Sequence, residues 1–282
     1  MSSDKLTCGV AQIDCKLGQL NINLQQHLDY ISDARAAGVE LLLFPELSLT
    51  GYGLGNLTPE IALRSDSRVL QNLADAAGEM TVAFGFVEEG PGAQFYNACA
   101  AARNGQILHI HRKLNLPTYG QLAEGKIFAS GNRVDNFNIS DPWHAGLLIC
   151  ADWWNPPLVH LSIQQQATAL LAPINSALGV VSDSFSNPDG WDLALRFYSM
   201  MYGTPIIMSN RVGDEAGVHF FGGSCIYGPR GEVLAQAPHD KVTLIKTDIS
   251  YSAVRAARFD LPTLRDANLP LLSREFSRLN AT

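Results

Sequence analysis

The sequence has few basic residues, and none of them forms a long run. Lysine and arginine total 20 against 27 acidic residues, and the formal net charge is −7. A protein that binds the phosphate backbone of a nucleic acid needs clustered positive charge. The composition therefore predicts no nucleic-acid partner.

The chain also lacks the cysteine patterns of disulfide-rich and zinc-binding proteins. Its cysteines are odd in number and include no CxxC pair; they are Cys8, Cys15, Cys99, Cys150 and Cys225. Such spacing fits neither a disulfide framework nor a zinc site. We expect reduced cysteines, most of them in the core, and neither a metal nor another cofactor.

Long apolar runs are missing as well. No segment is apolar for long enough to cross a bilayer, and the start of the chain lacks the apolar core of a signal peptide. We therefore predict a cytoplasmic protein with no membrane partner. Hydrophobic residues at 46% and charged residues at 17% are ordinary for a globular protein. A chain of 282 residues can bury a sizeable core, so we expect one domain over residues 1–282.

The hydrophobic pattern alternates between short apolar β-rich runs and amphipathic stretches. It predicts helices at Asn21–Ala37, within Pro59–Ala77 and at Asp189–Tyr202, and strands at Leu6–Ile13, Leu41–Phe44, Thr81–Val87, Asn97–Ala102, Ile107–Arg112, Ala145–Ile149, Ala167–Ala172, Pro205–Ser209, Gly223–Tyr227, Glu232–Ala235 and Val242–Thr247. The pair Asn104-Gly105 predicts a hairpin turn. This alternation is typical of a layered α/β protein with a mixed sheet.

Three polar residues each stand at the carboxyl end of an apolar run, where open α/β sheets usually place their sites. They are Glu46, Lys113 and Cys150. Taken singly, they are most simply a turn acid, a surface lysine and an inert core thiol. Taken together, they suffice for acyl transfer. A carboxylate can accept the thiol proton, while an ammonium and the backbone N–H after the nucleophile can stabilise an oxyanion. The spacing alone does not show that the three side chains meet.

Three motifs around these residues resemble those of the nitrilase superfamily, the carbon–nitrogen hydrolases. The motifs are Phe44-Pro45-Glu46 with Gly51-Tyr52, His111-Arg112-Lys113 with Tyr119-Gly120, and Gly146-Leu147-Leu148-Ile149-Cys150-Ala151-Asp152. They occur in the family's order and at compatible separations, and the likeness extends from about Leu6 to about Thr247. The resemblance implies an α/β fold built as a four-layer α-β-β-α sandwich.

The resemblance also implies a role for each catalytic candidate. Glu46 would be the general base, Lys113 the oxyanion stabiliser and Cys150 the nucleophile. Many members carry a second glutamate after the lysine motif, before a Phe and a Gly, and Glu124 stands in that place here. We expect Glu124 to help position the substrate or Lys113.

The residues after the nucleophile indicate the branch of the family. True nitrilases usually carry Trp-Glu there, whereas Ala151-Asp152 is more like the amidase, carbamoylase and glutaminase branches. We expect an amidase that hydrolyses a small amide through a thioester. The alternatives are an N-carbamoyl amine or amino acid amidohydrolase, a free-standing glutaminase-like or nitrilase activity, or, in another class, a catalytically idle binding protein. The Trp and Pro pattern of residues 153–156 resembles the glutaminase domains attached to NAD synthetases.

Side chains near the motifs are candidates for contact with a small-molecule amide or N-carbamoyl substrate. They are Tyr52, Tyr119, Ala151, Trp153, Trp154, Asn175 and Ser176. Core packing is an equally good explanation for each tryptophan. Family members commonly form homodimers or larger homo-oligomers, and the C-terminal extension from about residue 250 carries the leucines for such a contact. We therefore expect a homo-oligomer.

Overall fold

The computed structural model describes residues 4–281 and contains alternating strands and helices. The helices are α1 (Leu20–Ala36), α2 (Thr58–Ile61), α3 (Arg68–Ala77), α4 (Pro156–Gln164), α5 (Asn187–Tyr202), α6 (Tyr251–Asp260) and α7 (Leu269–Asn280). The strands are β1 (Lys5–Gln12), β2 (Leu41–Leu43), β3 (Thr81–Gly90), β4 (Gln94–Arg103), β5 (Gln106–Arg112), β6 (Asn136–Ser140), β7 (Trp143–Leu147), β8 (Ala169–Ile174), β9 (Ile206–Asn210), β10 (Val212–Glu215), β11 (Val218–Phe221), β12 (Cys225–Tyr227), β13 (Val233–Gln236) and β14 (Thr243–Ser250).

These strands form two six-stranded mixed sheets and one small hairpin. The first sheet has the order β14-β1-β2-β3-β4-β5, and the second has the order β13-β12-β9-β8-β7-β6. In the first sheet β2 lies parallel to β1 and β3, and in the second sheet β8 lies parallel to β7 and β9. The sites for Glu46 and Cys150 therefore follow parallel strands in different sheets.

Three clusters of buried side chains show how the layers stack. One cluster joins the facing sides of the two sheets and includes Val10, Leu43, Leu147 and Ile207. A second packs α1 and α3 on the outer face of the first sheet. A third packs α4 and α5 on the outer face of the second sheet. The order is helix, sheet, sheet, helix, and the predicted four-layer α-β-β-α sandwich is confirmed.

Most predicted elements are present, with one clear exception. Asn104 and Gly105 join β4 to β5 with φ of 50° and 71°, as a tight hairpin turn requires. The single helix expected within residues 59–77 is wrong, because the chain leaves the helical path between α2 and α3. Leu63 there pairs with Glu88 in an isolated parallel bridge, and the Ser67 side chain caps α3.

The C-terminal extension consists of two helices with different environments. On α6, Val254 and Ala257 are buried, and Arg258 donates to the backbone oxygen of Ala167. On α7 no residue is buried, and Phe276 is 52% exposed. Within residues 4–281, none of the helices has the length and apolar character needed to span a membrane.

Candidate active site

Glu46 lies just beyond β2, at the carboxyl end of a parallel strand. Its side chain is buried, and the turn that carries it packs directly on the backbone of β3 at Gly85. A Cβ at Gly85 would lie 2.2 Å from the backbone nitrogen of Leu47 and 2.8 Å from the carbonyl carbon of Glu46. Only glycine allows this close approach, so Gly85 fixes the height of the Glu46 turn above the sheet.

Lys113 follows β5, and its fully buried ammonium lies between two carboxylates. Nζ donates to Oε1 of Glu46 at 2.6 Å and to Oε1 of Glu124 at 2.7 Å. Asn97 on β4 donates from Nδ2 to the same oxygen of Glu46 at 2.7 Å. The second carboxylate oxygen of Glu46, Oε2, has no hydrogen-bond partner among the described residues. Oε2 of Glu124 is likewise unpaired, so each carboxylate beside Lys113 keeps one oxygen that is free to take a proton.

Burial and charge act in opposite directions on these groups. Burial disfavours the ammonium of Lys113, but the carboxylates of Glu124 and Glu46 outweigh it, and the pKa of Lys113 is raised well above its usual value. Burial raises the pKa of Glu46, with the Lys113 charge opposing that rise. Lys113 is therefore a fixed positive charge, whereas Glu46 is held closer to protonation than an exposed glutamate.

Glu124 is itself positioned by a second set of contacts. The hydroxyl of Tyr52 donates to Oε1 of Glu124 at 2.6 Å. The backbone at Tyr52 is fixed in turn by Glu215, which accepts from the N–H groups of Tyr52 and Gly53. Glu215 also pairs with the fully buried guanidinium of Arg211 at 2.5 Å. A continuous polar chain thus runs from Arg211 to the Lys113 ammonium.

Cys150 begins a short 3-10 turn immediately after β7 and Ile149. Its φ is 42°, a region that residues other than glycine rarely occupy and that recurs at functional sites. Burial and the carboxylate of Glu46 raise the pKa of the thiol well above its usual value, opposed by Lys113. The backbone of Asn175 also opposes the rise in the thiol pKa. The resting group is therefore a thiol electrostatically coupled to Glu46 and Lys113.

Asp152 ties the strand end that carries Lys113 to the turn that carries Cys150. Its Oδ1 accepts from the backbone N–H groups of Leu114 and Asn115 at 2.9 and 2.7 Å. Its Oδ2 accepts from the backbone of Ile149 at 3.0 Å and lies 2.9 Å from Nε2 of His111. One buried carboxylate therefore fixes the two loops relative to each other.

A small chamber lies against Cys150. Its lining includes five of the predicted substrate-contact residues, Tyr119, Ala151, Trp154, Asn175 and Ser176. The space open to the centre of a water molecule is about 30 Å³, which suits a ligand of few atoms. Larger hollows of about 540 to 660 Å³ lie elsewhere on the surface, and Cys150 does not line any of these.

The two remaining predicted contacts lie outside the chamber. Trp153 is 0% exposed and packs in the core beneath α5, with its indole N–H donating to Leu148. It is a core residue, because its side chain packs into the cluster between the second sheet and its helices. Tyr52 belongs to the Glu124 contacts described above and is absent from the chamber lining.

Two loops close over the chamber. The backbone N–H of Gln121 donates to the carbonyl oxygen of Val180 at 2.9 Å. At Gly120, with φ of 59°, a Cβ would lie 2.2 Å from that same oxygen, so the loops touch at a point that requires glycine. We name this contact the loop joint.

Several residues of the site were not found from the sequence. Asn97 contacts Glu46, Asn187 and Trp191 line the chamber, and Asp152 bonds to the neighbours of Lys113 and Cys150. For Asp152 the signal was its place at the end of the cysteine motif, two residues after Cys150. For Asn187 and Trp191 the sequence carries no comparable signal, because α5 begins 37 residues after Cys150 and reaches the chamber only through the fold.

Comparison with known proteins identifies the class of this fold and site. Residues 7–259 match the carbon-nitrogen hydrolase family, and the chain belongs to that family. Over 95% of its length it superposes on a carbon-nitrogen hydrolase from Helicobacter pylori G27, covering 96% of that chain with a TM-score of 0.81 at 22% identity.

Among sequence relatives, the chain is 30% identical over 250 residues to a glutamine-dependent NAD(+) synthetase from Thermotoga maritima. The match covers 87% of this chain and 42% of the synthetase, so the chain spans less than half of that relative. It is also 28% identical over 267 residues to an (R)-stereoselective amidase from a Pseudomonas species, covering 93% of this chain and 91% of the amidase.

Proposed function

We propose that this protein is an amidase that hydrolyses a small amide through a thioester on Cys150. The observation that carries the proposal is the buried Lys113 ammonium bonded to Glu46 and Glu124, with one Glu46 oxygen left free. This arrangement offers a proton acceptor, a fixed positive charge and a thiol that all influence one another. The similarity to an amidase over nearly the whole of both chains supports the same conclusion.

Acylation begins with transfer of the thiol proton to Glu46 as the sulfur attacks the amide carbon. Because the pKa of the thiol is raised, the proton leaves during attack rather than before it. The new C–S bond forms while the carbonyl pair moves to oxygen, and Lys113 with the N–H of Ala151 stabilises this oxyanion. Collapse breaks the C–N bond, the leaving nitrogen takes the proton from Glu46, and ammonia or an amine departs.

Deacylation repeats the sequence with water. Glu46 takes a proton from water as the oxygen attacks the thioester carbon, and the oxyanion forms in the same place. Collapse breaks the C–S bond, the sulfur takes the proton back from Glu46, and a carboxylic acid is released. Glu124 and Asn97 act by holding Lys113 and Glu46 in place through both halves.

The test is Cys150-dependent ammonia release from a panel of amides, N-carbamoyl compounds, glutamine and nitriles. Cys150→Ala removes the nucleophile and should abolish release while circular dichroism stays unchanged. Cys225→Ala is the matched control, because Cys225 is a buried cysteine in the core beneath α5. It should retain activity.

The pattern of release distinguishes the candidate reactions. Ammonia from amides alone supports the amidase, and ammonia together with carbon dioxide from N-carbamoyl compounds supports a carbamoyl amidohydrolase instead. Equal release by wild type and Cys150→Ala would refute the nucleophilic role. No release from any member of the panel, together with a Cys150 that iodoacetamide does not alkylate, would indicate the idle binding protein.

A further inference from the structure

Three residues that line the chamber each carry a buried polar atom with no partner within the described chain. The atoms are Oδ1 of Asn175, Oδ1 of Asn187 and the indole Nε1 of Trp191. Their residues are 7%, 5% and 2% exposed, and all three line the chamber beside Cys150. Leaving such groups unpaired is costly, so their presence around one cavity points to a ligand that pairs with them.

The contacts of the two amides determine which atoms remain free. Nδ2 of Asn175 donates to the backbone oxygen of Glu46 at 3.2 Å, which leaves Oδ1 as the available atom. Nδ2 of Asn187 donates to the hydroxyl oxygen of Ser176 at 2.9 Å, so its Oδ1 is likewise available. The residues that line the chamber therefore carry two unpaired hydrogen-bond acceptors and one unpaired donor, the indole N–H of Trp191.

We propose that the chamber selects a small amide whose acyl chain carries an uncharged hydroxyl-type group, which both donates and accepts a hydrogen bond. The group donates to Oδ1 of Asn187 and accepts from the indole N–H of Trp191. The proposal rests on the amidase function argued above and names its substrate class. The small volume of the chamber limits the acyl chain to a few atoms beyond the carbonyl.

The same atoms predict which substrates are disfavoured. An alkyl group of equal size leaves the acceptors unpaired, which is the situation in which a hydrogen-bonding site discriminates most strongly. A carboxylate meets two acceptor oxygens and is repelled. Glutamine, which carries both an α-carboxylate and an α-ammonium, exceeds the few-atom limit of the chamber and is expected to be a poorer substrate than a small hydroxy amide.

The experiment compares glycolamide with propionamide, which differ by a hydroxyl in place of a methyl group. For the wild type we expect kcat/KM to favour glycolamide by at least about tenfold. In Asn187→Leu the ratio should fall to about one, because the acceptor becomes a methyl group. Asn187→Asp keeps an acceptor oxygen facing the chamber and should retain the preference.

The possible outcomes separate this inference from the proposed function. Cys150-dependent hydrolysis of both amides with a wild-type ratio near one overturns the inference and leaves the amidase intact. A preference for glycolamide that survives in Asn187→Leu overturns the role of Asn187. If Asn187→Leu does not fold, the inference is judged from the ratio of kcat/KM for glycolamide to that for propionamide in the wild type and in Asn187→Asp. No Cys150-dependent hydrolysis of any amide overturns the amidase, and this inference with it.

Discussion

Replacing Lys113 with methionine tests the buried charge arrangement directly. The substitution keeps the length and most of the volume of the side chain but removes the charge that lies 2.6 Å from Glu46 and 2.7 Å from Glu124. Both carboxylates then remain buried without their shared cation. Breaking a buried ion pair by removing one partner typically costs about 3–5 kcal/mol, a large share of a total stability of about 5–15 kcal/mol.

The loss of stability in Lys113→Met should depend on pH, and the direction of that dependence follows from the pKa of Glu46. Burial already raises the pKa of Glu46, and Lys113 opposes that rise, so the variant should have a still higher folded-state pKa. A carboxyl group whose folded pKa lies above its unfolded pKa binds more protons when folded. Stability then falls as pH rises through the interval between the two values. Lys113→Met should therefore be less stable at pH 8 than at pH 5.

Urea denaturation followed by circular dichroism at the two pH values measures this effect. The double variant Lys113→Met/Glu124→Gln removes one orphaned carboxylate and should recover part of the stability. Ammonia release should fall by about 10²–10³ in both variants, since each lacks the oxyanion partner. A Lys113→Met protein as stable as wild type at pH 8, with no pH dependence beyond that of wild type, would refute the reasoning.

The other predictions concern positions around the same site. Gly85→Ala should lower activity and stability together, because a Cβ 2.2 Å from the Leu47 nitrogen must displace the Glu46 turn; kinetics and thermal melting measure both. Asp152→Asn replaces one carboxylate oxygen with an NH₂ group, so it should lose at least one hydrogen bond that Asp152 accepts from a backbone N–H. The free energy of unfolding in urea should fall by about 1–3 kcal/mol, and an unchanged midpoint would contradict the role of Asp152 in fixing the two loops. Removal of residues 262–282 should leave the protein folded, because α7 has no buried residue. If the C-terminal extension joins subunits as expected, the truncated protein should elute from gel filtration as a smaller assembly. An unchanged elution volume would contradict that contact.

The catalytic candidates could be predicted because each follows an apolar strand and carries a motif. Glu46 and Cys150 follow β2 and β7, which run parallel to their neighbours, and Lys113 follows β5. The resemblance supplied their roles and that of Glu124. What the sequence could not supply was the contact itself, since Lys113 and Glu46 are 67 residues apart and follow separate strands.

The supporting contacts were less predictable, because their residue types are common and their partners are distant. Glu215 reaches the Tyr52 loop across 163 positions, and neither residue belongs to a local pattern that links them. Trp153 and Trp154 show a second limit. They are adjacent and chemically identical, yet one lies in the core and the other on the chamber wall, because a 3-10 turn follows Cys150.

The loop joint between Gln121 and Val180 has a consequence for the second half of the proposed reaction. The chamber beside it has about 30 Å³ open to the centre of a water molecule, which is room for about two waters. Under the proposed function, the group that attacks the thioester in the second half-reaction would meet the same size limit as the amide in the first. Under the proposed mechanism, hydroxylamine should intercept the acyl group as readily as water does, whereas bulky amines should not. The partition of the thioester between acceptors would then report the space available in the chamber.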